Sequence, residues 1–332
     1  MLRKAGLIAL CVVLVASTMA FAGGAGEGAA REQVVSLSTP VAPDHPNTIA
    51  ANKFAEIVNE GSGGRLRVEV YPANQLGDVI QVIENVMDGS VHMYIGGTSE
   101  TSMYQPEFAV FDAPYLFRDY DHLMKASGSE VVDEMSDLLE ANHGVKILSA
   151  QLYYGTRHLT TRNTPINEPA DLAGMLIRAP DQPIYLEAVR AMGATPTPVA
   201  FSDLYMALRQ GVVDGQENPI PTIYTYNYHE AQGYIMLTGH MRRVNVIGAN
   251  AAWYNGLPAD LQDLIDRAWD EAVALNNELT LQEEIDMLES LKELGMTVVE
   301  PNVDAFREAA EYIPSVFADE WGDFFQRLNE IR

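Results

Sequence analysis

Arginine is the side chain best suited to gripping a carboxylate. Its planar fork offers paired N–H donors and stays charged when partly desolvated. Arg178 closes a short apolar stretch, Leu176-Ile177-Arg178-Ala179-Pro180. A strand end that opens on a crevice is where α/β folds bind ligands. Pairing of Arg178 with a buried Asp or Glu is the alternative. Arg157 follows Tyr153-Tyr154-Gly155-Thr156; two aromatics and a glycine beside a cation suit a hydroxylated ligand, and equally suit a strand-to-loop corner. Asn218 lies in Gly215-Gln216-Glu217-Asn218-Pro219. Pro219 steers it away from helical angles and presents it at a strand-to-helix corner, where anions are favoured. A plain Asx turn or helix cap reads the same residues differently. Phe201, in Pro198-Val199-Ala200-Phe201, offers an apolar wall or ordinary core packing.

The first half of the chain offers weaker candidates. His45, in Asp44-His45-Pro46, precedes a helix and is placed to face a cleft. Thr98 and Ser99 follow an apolar strand and suit hydroxyl recognition. Asp78 follows Leu76-Gly77 at a helix start, where capping is the simpler role. Enzyme signatures are weak: no Gly-rich phosphate loop, His-Glu-x-x-His or Gly-x-Ser-x-Gly occurs, and although the many carboxylates leave a glycosidase-like pair open, nothing singles out two of them. The seven histidines do not fall at zinc-ligand spacing. No cofactor and no metal are expected. His240, in Thr238-Gly239-His240, reads as structural.

The elements that must position these residues alternate between strand and helix. Val34–Leu37, Leu66–Val70 and Val91–Ile95 read as strands, with helices over Pro46–Asn59 and Asp78–Met87. A helix over Ser129–Asn142 precedes a strand at Val145–Ala150. Met175–Arg178 is a short strand, followed by helices over Pro183–Met192 and Phe201–Gln210. Ile235–Leu237 and Val244–Ala251 are separate apolar strand candidates. This alternation predicts a layered α/β class. From Pro258 to Leu294 no Gly or Pro interrupts a helical pattern. At 1.5 Å per residue a single helix there would run about 55 Å; two helices with an unmarked break are the other reading.

Composition sets the boundaries. Arg3 and Lys4, the apolar run Ala5–Met19 and the small-x-small site Ala20-Phe21-Ala22 form a signal-peptide pattern over residues 1–22. The run is too short for a bilayer span. Residues 23–32 read as a Gly/Ala-rich tether. Cys11, the one cysteine, falls inside the leader, so the exported chain has no thiol or disulfide chemistry. Without the leader, 19 basic residues face 46 acidic ones, a net charge of −27. That excludes nucleic acid as a partner, which needs a basic surface. A local pair of arginines can still hold an anion, because exposed charges are screened beyond about 8–10 Å. A mature chain of this length predicts two domains.

Gly155-Thr156-Arg157, Leu176-Ile177-Arg178-Ala179-Pro180, Gly193-Ala194-Thr195-Pro196-Thr197-Pro198 and the run from Gly211 to Pro219 come in an order and spacing that resembles the solute-binding proteins of tripartite ATP-independent periplasmic (TRAP) transporters. The likeness extends more loosely from Val34 to the C-terminus. It implies a two-lobed periplasmic binding protein fold, with mixed sheets flanked by helices and one long interdomain helix. Lobe I would be residues 33–154 and 244–280, lobe II residues 155–243 and 281–332. It implies a periplasmic protein, expected as a monomer, that closes on a small organic anion and delivers it to membrane permease subunits. Arg157, Arg178 and Asn218 become the ligand clamp. Relatives that bind sialic acid carry acidic side chains where this chain has Val79 and Gly97, which favours a smaller sugar acid, a hexuronate or aldonate. A C4-dicarboxylate is the runner-up and would need a second cationic cluster in lobe I, which the sequence does not display. A sensor presenting ligand to a receptor kinase and a secreted sugar-acid enzyme are the remaining alternatives.

Overall fold

The computed structural model describes residues 32–332. The expected signal peptide, Cys11 and nearly all of the expected tether lie outside the described residues. Nine strands form one continuous mixed sheet: β1 (Gln33–Ser38), β2 (Leu66–Tyr71), β3 (Met93–Gly97), β4 (Val145–Thr161), β5 (Leu176–Ala179), β6 (Thr195–Pro198), β7 (Gly215–Pro219), β8 (Tyr234–Asn250) and β9 (Thr297–Val299). The order is β2-β1-β3-β8-β4-β7-β5-β6, with β9 added beside β8. β1 runs parallel to β2 and β3, and β5 parallel to β6 and β7. Between these two parallel sets lie β4 and β8, each 17 residues long and mutually antiparallel.

Those two long strands make one sheet of what the sequence suggests as two. The apolar pattern splits β8 at Leu237 and Val244 because Thr238–Arg243 is polar. The strand nevertheless continues through that stretch, pairing with β4 on both sides of it. The pairing slips by a residue at Tyr153/Gly155, where Gly155 has φ +118°, a conformation that strongly favours glycine. Gly155 sits opposite Arg243, and Tyr153 opposite Val244. The two chain positions at which the sequence divides the lobes are therefore cross-strand neighbours. β6, the Thr195-Pro196-Thr197-Pro198 motif, is an edge strand, the place a sheet tolerates proline.

The helix Pro46–Gly61 starts with proline in its first turn and His45 as its cap. Its buried face, including Ala51, Phe54 and Val58, packs on the long helix Ala259–Glu293, where Phe54 stacks on Trp269 at 4.0 Å between centroids. That long helix is one element of 35 residues, about 52 Å at the standard rise. Its first half buries Leu261, Leu264, Ile265, Ala268, Trp269 and Ala272; further on the buried positions turn polar, Asn276, Asn277 and Thr280. These polar residues meet β4: Asn276 Nδ2 donates to Tyr153 O at 2.8 Å, and Tyr153 N–H donates to Asn277 Oδ1 at 2.9 Å. Among the described residues no helix is long and apolar enough to cross a membrane.

Candidate functional site

A cavity of about 410 Å³ opens where β3, β4, β5, β7 and β8 come together. Arg157, Arg178, Asn218, Phe201 and Asp78 line it. Arg178 is delivered by β5, whose Ile177 and Ala179 are fully buried. Its own side chain is 2% exposed as a residue, and Nε donates to Val199 O at 2.9 Å. Among the described residues it has no carboxylate within ion-pair reach and no partner for either Nη group. Burial pushes its pKa down, only partly offset by Tyr228 and Glu217. A buried cation without a counterion is costly unless something else supplies the negative charge.

Arg157 is different. Its Nε donates to Glu217 Oε2 at 2.5 Å, and Nη2 donates to Glu217 Oε1 and to Glu217 O, both at 2.8 Å. The guanidinium also lies 5.1 Å from the Tyr185 ring centroid. Burial opposes ionisation of Glu217, yet Arg157 and His240 together outweigh it and hold the carboxyl down at about 2. Burial likewise opposes the charge on Arg157, and Glu217 with Tyr185 outweighs that too. His240 Nε2 donates the third bond to the Glu217 carboxylate, at 3.1 Å, while its Nδ1 accepts from Thr238 Oγ1 at 2.8 Å. The buried-pair role, an open alternative for Arg178, is thus filled by Arg157, and His240 is its structural support.

Asn218 lies within β7, and its Nδ2 donates to Gln216 Oε1 at 2.6 Å. Phe201 meets the cavity with one side and packs edge-on against Tyr226 at 4.8 Å with the other. Asp78 is the N-cap residue of the helix Val79–Met87 but makes no side-chain cap bond. His45 and Thr98 are placed outside the cavity lining. His45 is fully buried, accepts from Asn47 N–H at 3.2 Å and stacks on Tyr154; Tyr154 is the residue that reaches the cavity. Thr98 donates to Asp112 Oδ2 at 2.6 Å at the base of the site. Both are turned away by stronger local partners, a helix N-terminus and a buried carboxylate.

Sequence reasoning missed Arg243, Glu100, Gln182 and Asn245, all of which line the cavity. Arg243 Nη2 donates to Glu100 Oε2 at 2.8 Å and to Ser99 Oγ at 3.1 Å, and its Nε lies 3.0 Å from Asp112 Oδ1. Arg243 lies in the expected lobe II, at its boundary with lobe I, but the carboxylates that neutralise it, Glu100 and Asp112, belong to the expected lobe I. Gln182 Oε1 is buried and accepts no hydrogen bond. Asn245 begins an amide chain away from the site: its Nδ2 donates to Asn47 Oδ1, and Asn47 Nδ2 to Asn276 Oδ1, both at 2.7 Å. The signal for Arg243 and Asn245 was their alternation with Val244 and Val246. Among the described residues no group of three His, Cys, Asp or Glu is placed to hold a metal ion.

Residues 37–319 match the family described as bacterial extracellular solute-binding protein, family 7 (DctP). The chain belongs to this family of TRAP solute-binding proteins. It is 30% identical over 251 residues to the 2,3-diketo-L-gulonate-binding periplasmic protein YiaO of Escherichia coli K12, covering 76% of each chain. It is 30% identical over 300 residues to the C4-dicarboxylate-binding periplasmic protein DctP of Rhodobacter capsulatus, covering 87% of this chain and 86% of that one. Among solved structures, a TRAP periplasmic solute-binding protein from Polaromonas sp. JS666 bound to D-erythronate superposes with a TM-score of 0.86 at 27% identity, covering 90% of this chain and 99% of that one. The family is one of solute-binding proteins for transport, not an enzyme class. For a solute-binding protein the chemistry of the cavity is the chemistry of recognition: among the described residues, one buried fork without a counterion, one buried acceptor without a donor, and paired charges between them.

Proposed function

We propose that this chain works in the periplasm, captures a monocarboxylate sugar acid, a hexuronate or an aldonate, and delivers it to the membrane permease of a TRAP transporter. The observation that carries this reading is Arg178, buried in the cavity with both Nη groups unengaged and no counterion among the described residues. A ligand carboxylate supplies the missing charge in a bidentate pair. Arg157 Nη1 and Asn218 complete the clamp. Around it, Gln182 Oε1, Asp78, Glu100 and Asn245 offer acceptors to hydroxyl groups, and Phe201 with Val79 and Ile80 supplies the apolar wall. His45 and Thr98 support the site from behind, through Tyr154 and Asp112.

This arrangement favours a sugar acid over a dicarboxylate. A second carboxylate would have Arg243 as its cation, and Arg243 already faces Glu100 and Asp112. The name of the R. capsulatus relative keeps the dicarboxylate as the competing ligand, whereas YiaO and the erythronate complex represent sugar acids. The lobes proposed are residues 33–154 with 244–280, and 155–243 with 281–332, hinged where Gly155 and Arg243 face each other. Closure would expel water and strengthen each charged contact; solution scattering should show a smaller radius of gyration with ligand.

The deciding experiment is calorimetric titration of the purified protein with glucuronate, galacturonate, gluconate, sialate, succinate, malate and pyruvate. Micromolar or tighter binding of a uronate or aldonate is the expected result. Tight binding of succinate or malate, with no response to any sugar acid, would overturn the ligand class and leave the transport role in place.

A further inference from the structure

A second cavity, of about 350 Å³, is lined by Arg118, Arg242, Arg307, His158, Thr156 and Tyr115, among others. It shares its walls with the first. On β4, Arg157 lines the first cavity while Thr156 and His158 line the second; on β8, Arg243 lines the first and Arg242 the second. Thr156 and Arg242 are cross-strand partners. Adjacent residues of a strand point to opposite sides, so the two cavities lie back to back across β4 and β8.

In a chain with 46 acidic residues, three arginines around one cavity need an explanation. Among the described residues none of the three has a carboxylate within ion-pair distance. Arg118 donates from Nη1 to Asn329 O at 3.1 Å and from Nη2 to Ile331 O at 2.6 Å. Arg242 donates from Nη1 to Phe117 O at 3.1 Å. Arg307 makes no hydrogen bond among the described residues and lies over the Tyr115 ring at 5.2 Å. Each guanidinium has five N–H donors, so every one keeps donors in reserve. His158 Nδ1 accepts from Gly239 N–H at 3.1 Å, which places the ring proton of the neutral imidazole on Nε2.

The nearby carboxylates are committed elsewhere. Asp119 accepts from His122 N–H at 2.8 Å, and Glu284 accepts from Thr156 N–H at 2.5 Å and from Tyr153 OH at 3.1 Å. Neither lines the cavity. The wall is also held in an unusual shape. Tyr115 has φ 60°, a left-handed conformation disfavoured for a bulky residue, and is pinned by donating from N–H to His240 O at 2.9 Å and from its hydroxyl to Thr238 O at 3.3 Å. Such strain is characteristic of functional sites.

We infer that this second cavity is a binding site for a small multivalent oxyanion, held by Arg118, Arg242 and Arg307. Its three cations and volume suit inorganic phosphate or a short polycarboxylate, which share the geometry of charged oxygens that guanidinium forks recognise. Because its floor is formed by the strands that carry Arg157 and Arg243, an occupant sits against the back of the solute site.

The test is calorimetric titration with sodium phosphate and with sodium citrate, against sodium chloride of matched ionic strength. It uses the wild type, Arg178→Ala, Arg307→Gln and the double variant Arg242→Gln/Arg307→Gln. Saturable binding of at least one of the two anions is expected. Its affinity should change less than about twofold in Arg178→Ala, fall at least about threefold in Arg307→Gln and at least about tenfold in the double variant. Arg307 is exposed, so its single variant decides the matter if the double variant fails to fold. Phosphate without citrate, or citrate without phosphate, identifies the source of the anion. No saturable binding of either at tens of millimolar, or binding lost in Arg178→Ala and retained in Arg307→Gln, overturns the site.

Discussion

Arg157 and Glu217 are locked together in the cavity floor, with Nε 2.5 Å from one carboxylate oxygen and Nη2 2.8 Å from the other, each side chain 1–2% exposed. The two arginines expected to share one task therefore differ in kind. Arg157 is charge-compensated within the protein, and in the proposed site only its Nη1 is left for a ligand. Arg178 is desolvated without an ion-pair partner among the described residues, where Val199 O is its one hydrogen-bond acceptor. In the solute site proposed above, Arg178 is the affinity element and Arg157 sets the geometry of the floor.

Replacing Arg178 by alanine should weaken binding of the preferred acid at least about 100-fold. Truncating one member of a buried charged pair costs roughly 2–5 kcal/mol, and about 1.4 kcal/mol is tenfold. Arg178→Lys should also bind poorly, since an ammonium lacks the fork. The unliganded Arg178→Ala protein should be no less stable than wild type, because a desolvated charge has been removed. Calorimetry and thermal melts check both halves; near-normal affinity in Arg178→Ala would sink the clamp assignment.

Glu217 makes the opposite case. Glu217→Gln leaves Arg157 buried without a counterion, and breaking such a pair costs about 3–5 kcal/mol. The melting temperature should fall by several degrees or more. The double variant Arg157→Met/Glu217→Leu should recover much of that stability, while binding stays impaired because Arg157 Nη1 is gone. A double variant as unstable as Glu217→Gln alone would show that the pair is not the origin of the loss.

Acid should destabilise the unliganded protein already above the ordinary carboxylate range. Burial lowers His45 and His158 from 6.5 to about 3. Between those values the unfolded chain binds protons that the folded chain refuses. The stability these groups contribute is therefore present above pH 6.5 and lost as pH falls toward 3, at about 1.4 kcal/mol per pH unit for each. Glu217, held near 2 against 4.5, adds its own loss below pH 4.5. Glu283 works against this trend. Burial, with help from Asp44 and Asp286, raises it to about 7, so protonation relieves it as pH falls from 7, but its partial exposure screens the effect. Melting temperatures should drop from pH 7 to pH 4, and His45→Gln should flatten the slope. A flat profile across that range contradicts the buried-histidine account.

How much of this was legible beforehand follows from the residues themselves. Arg178 can be read because it ends an apolar run just before Ala-Pro, which fixes both its strand and its position at the strand end. The long helix is legible as a helical run because nothing between Pro258 and Leu294 breaks it, while its being one helix and not two is settled by the structure. Arg243 cannot be read in this way, because its meaning depends on Glu100 and Asp112, brought to it by antiparallel pairing of β3 with β8. His45 illustrates the reverse. Its type and place suggest a ligand contact, but the cap of the following helix claims its Nδ1 and Tyr154 stands between it and the cavity. A pairing distant in sequence decided Arg243, whereas a cap two residues away, with Tyr154 beside it, decided His45.

Gly97 offers the sharpest test of that distant pairing. It lies at the end of β3 with no positive φ, so an alanine is compatible with its backbone. A Cβ there would nevertheless overlap Arg243 Nη2 and Glu100 Oε2. The glycine is required by the approach of Arg243 and Glu100, not by a turn. Gly97→Ala should therefore cost about 1–3 kcal/mol, the usual range for overpacking, and should weaken ligand binding at least about tenfold by displacing Arg243 together with Glu100, an acceptor proposed for the ligand. Adding Arg243→Ala to Gly97→Ala should restore space but not affinity. Thermal melts and calorimetry on the single and double variants measure the two effects separately. If Gly97→Ala binds and melts like wild type, Arg243 does not occupy the place at the cavity wall assigned to it here.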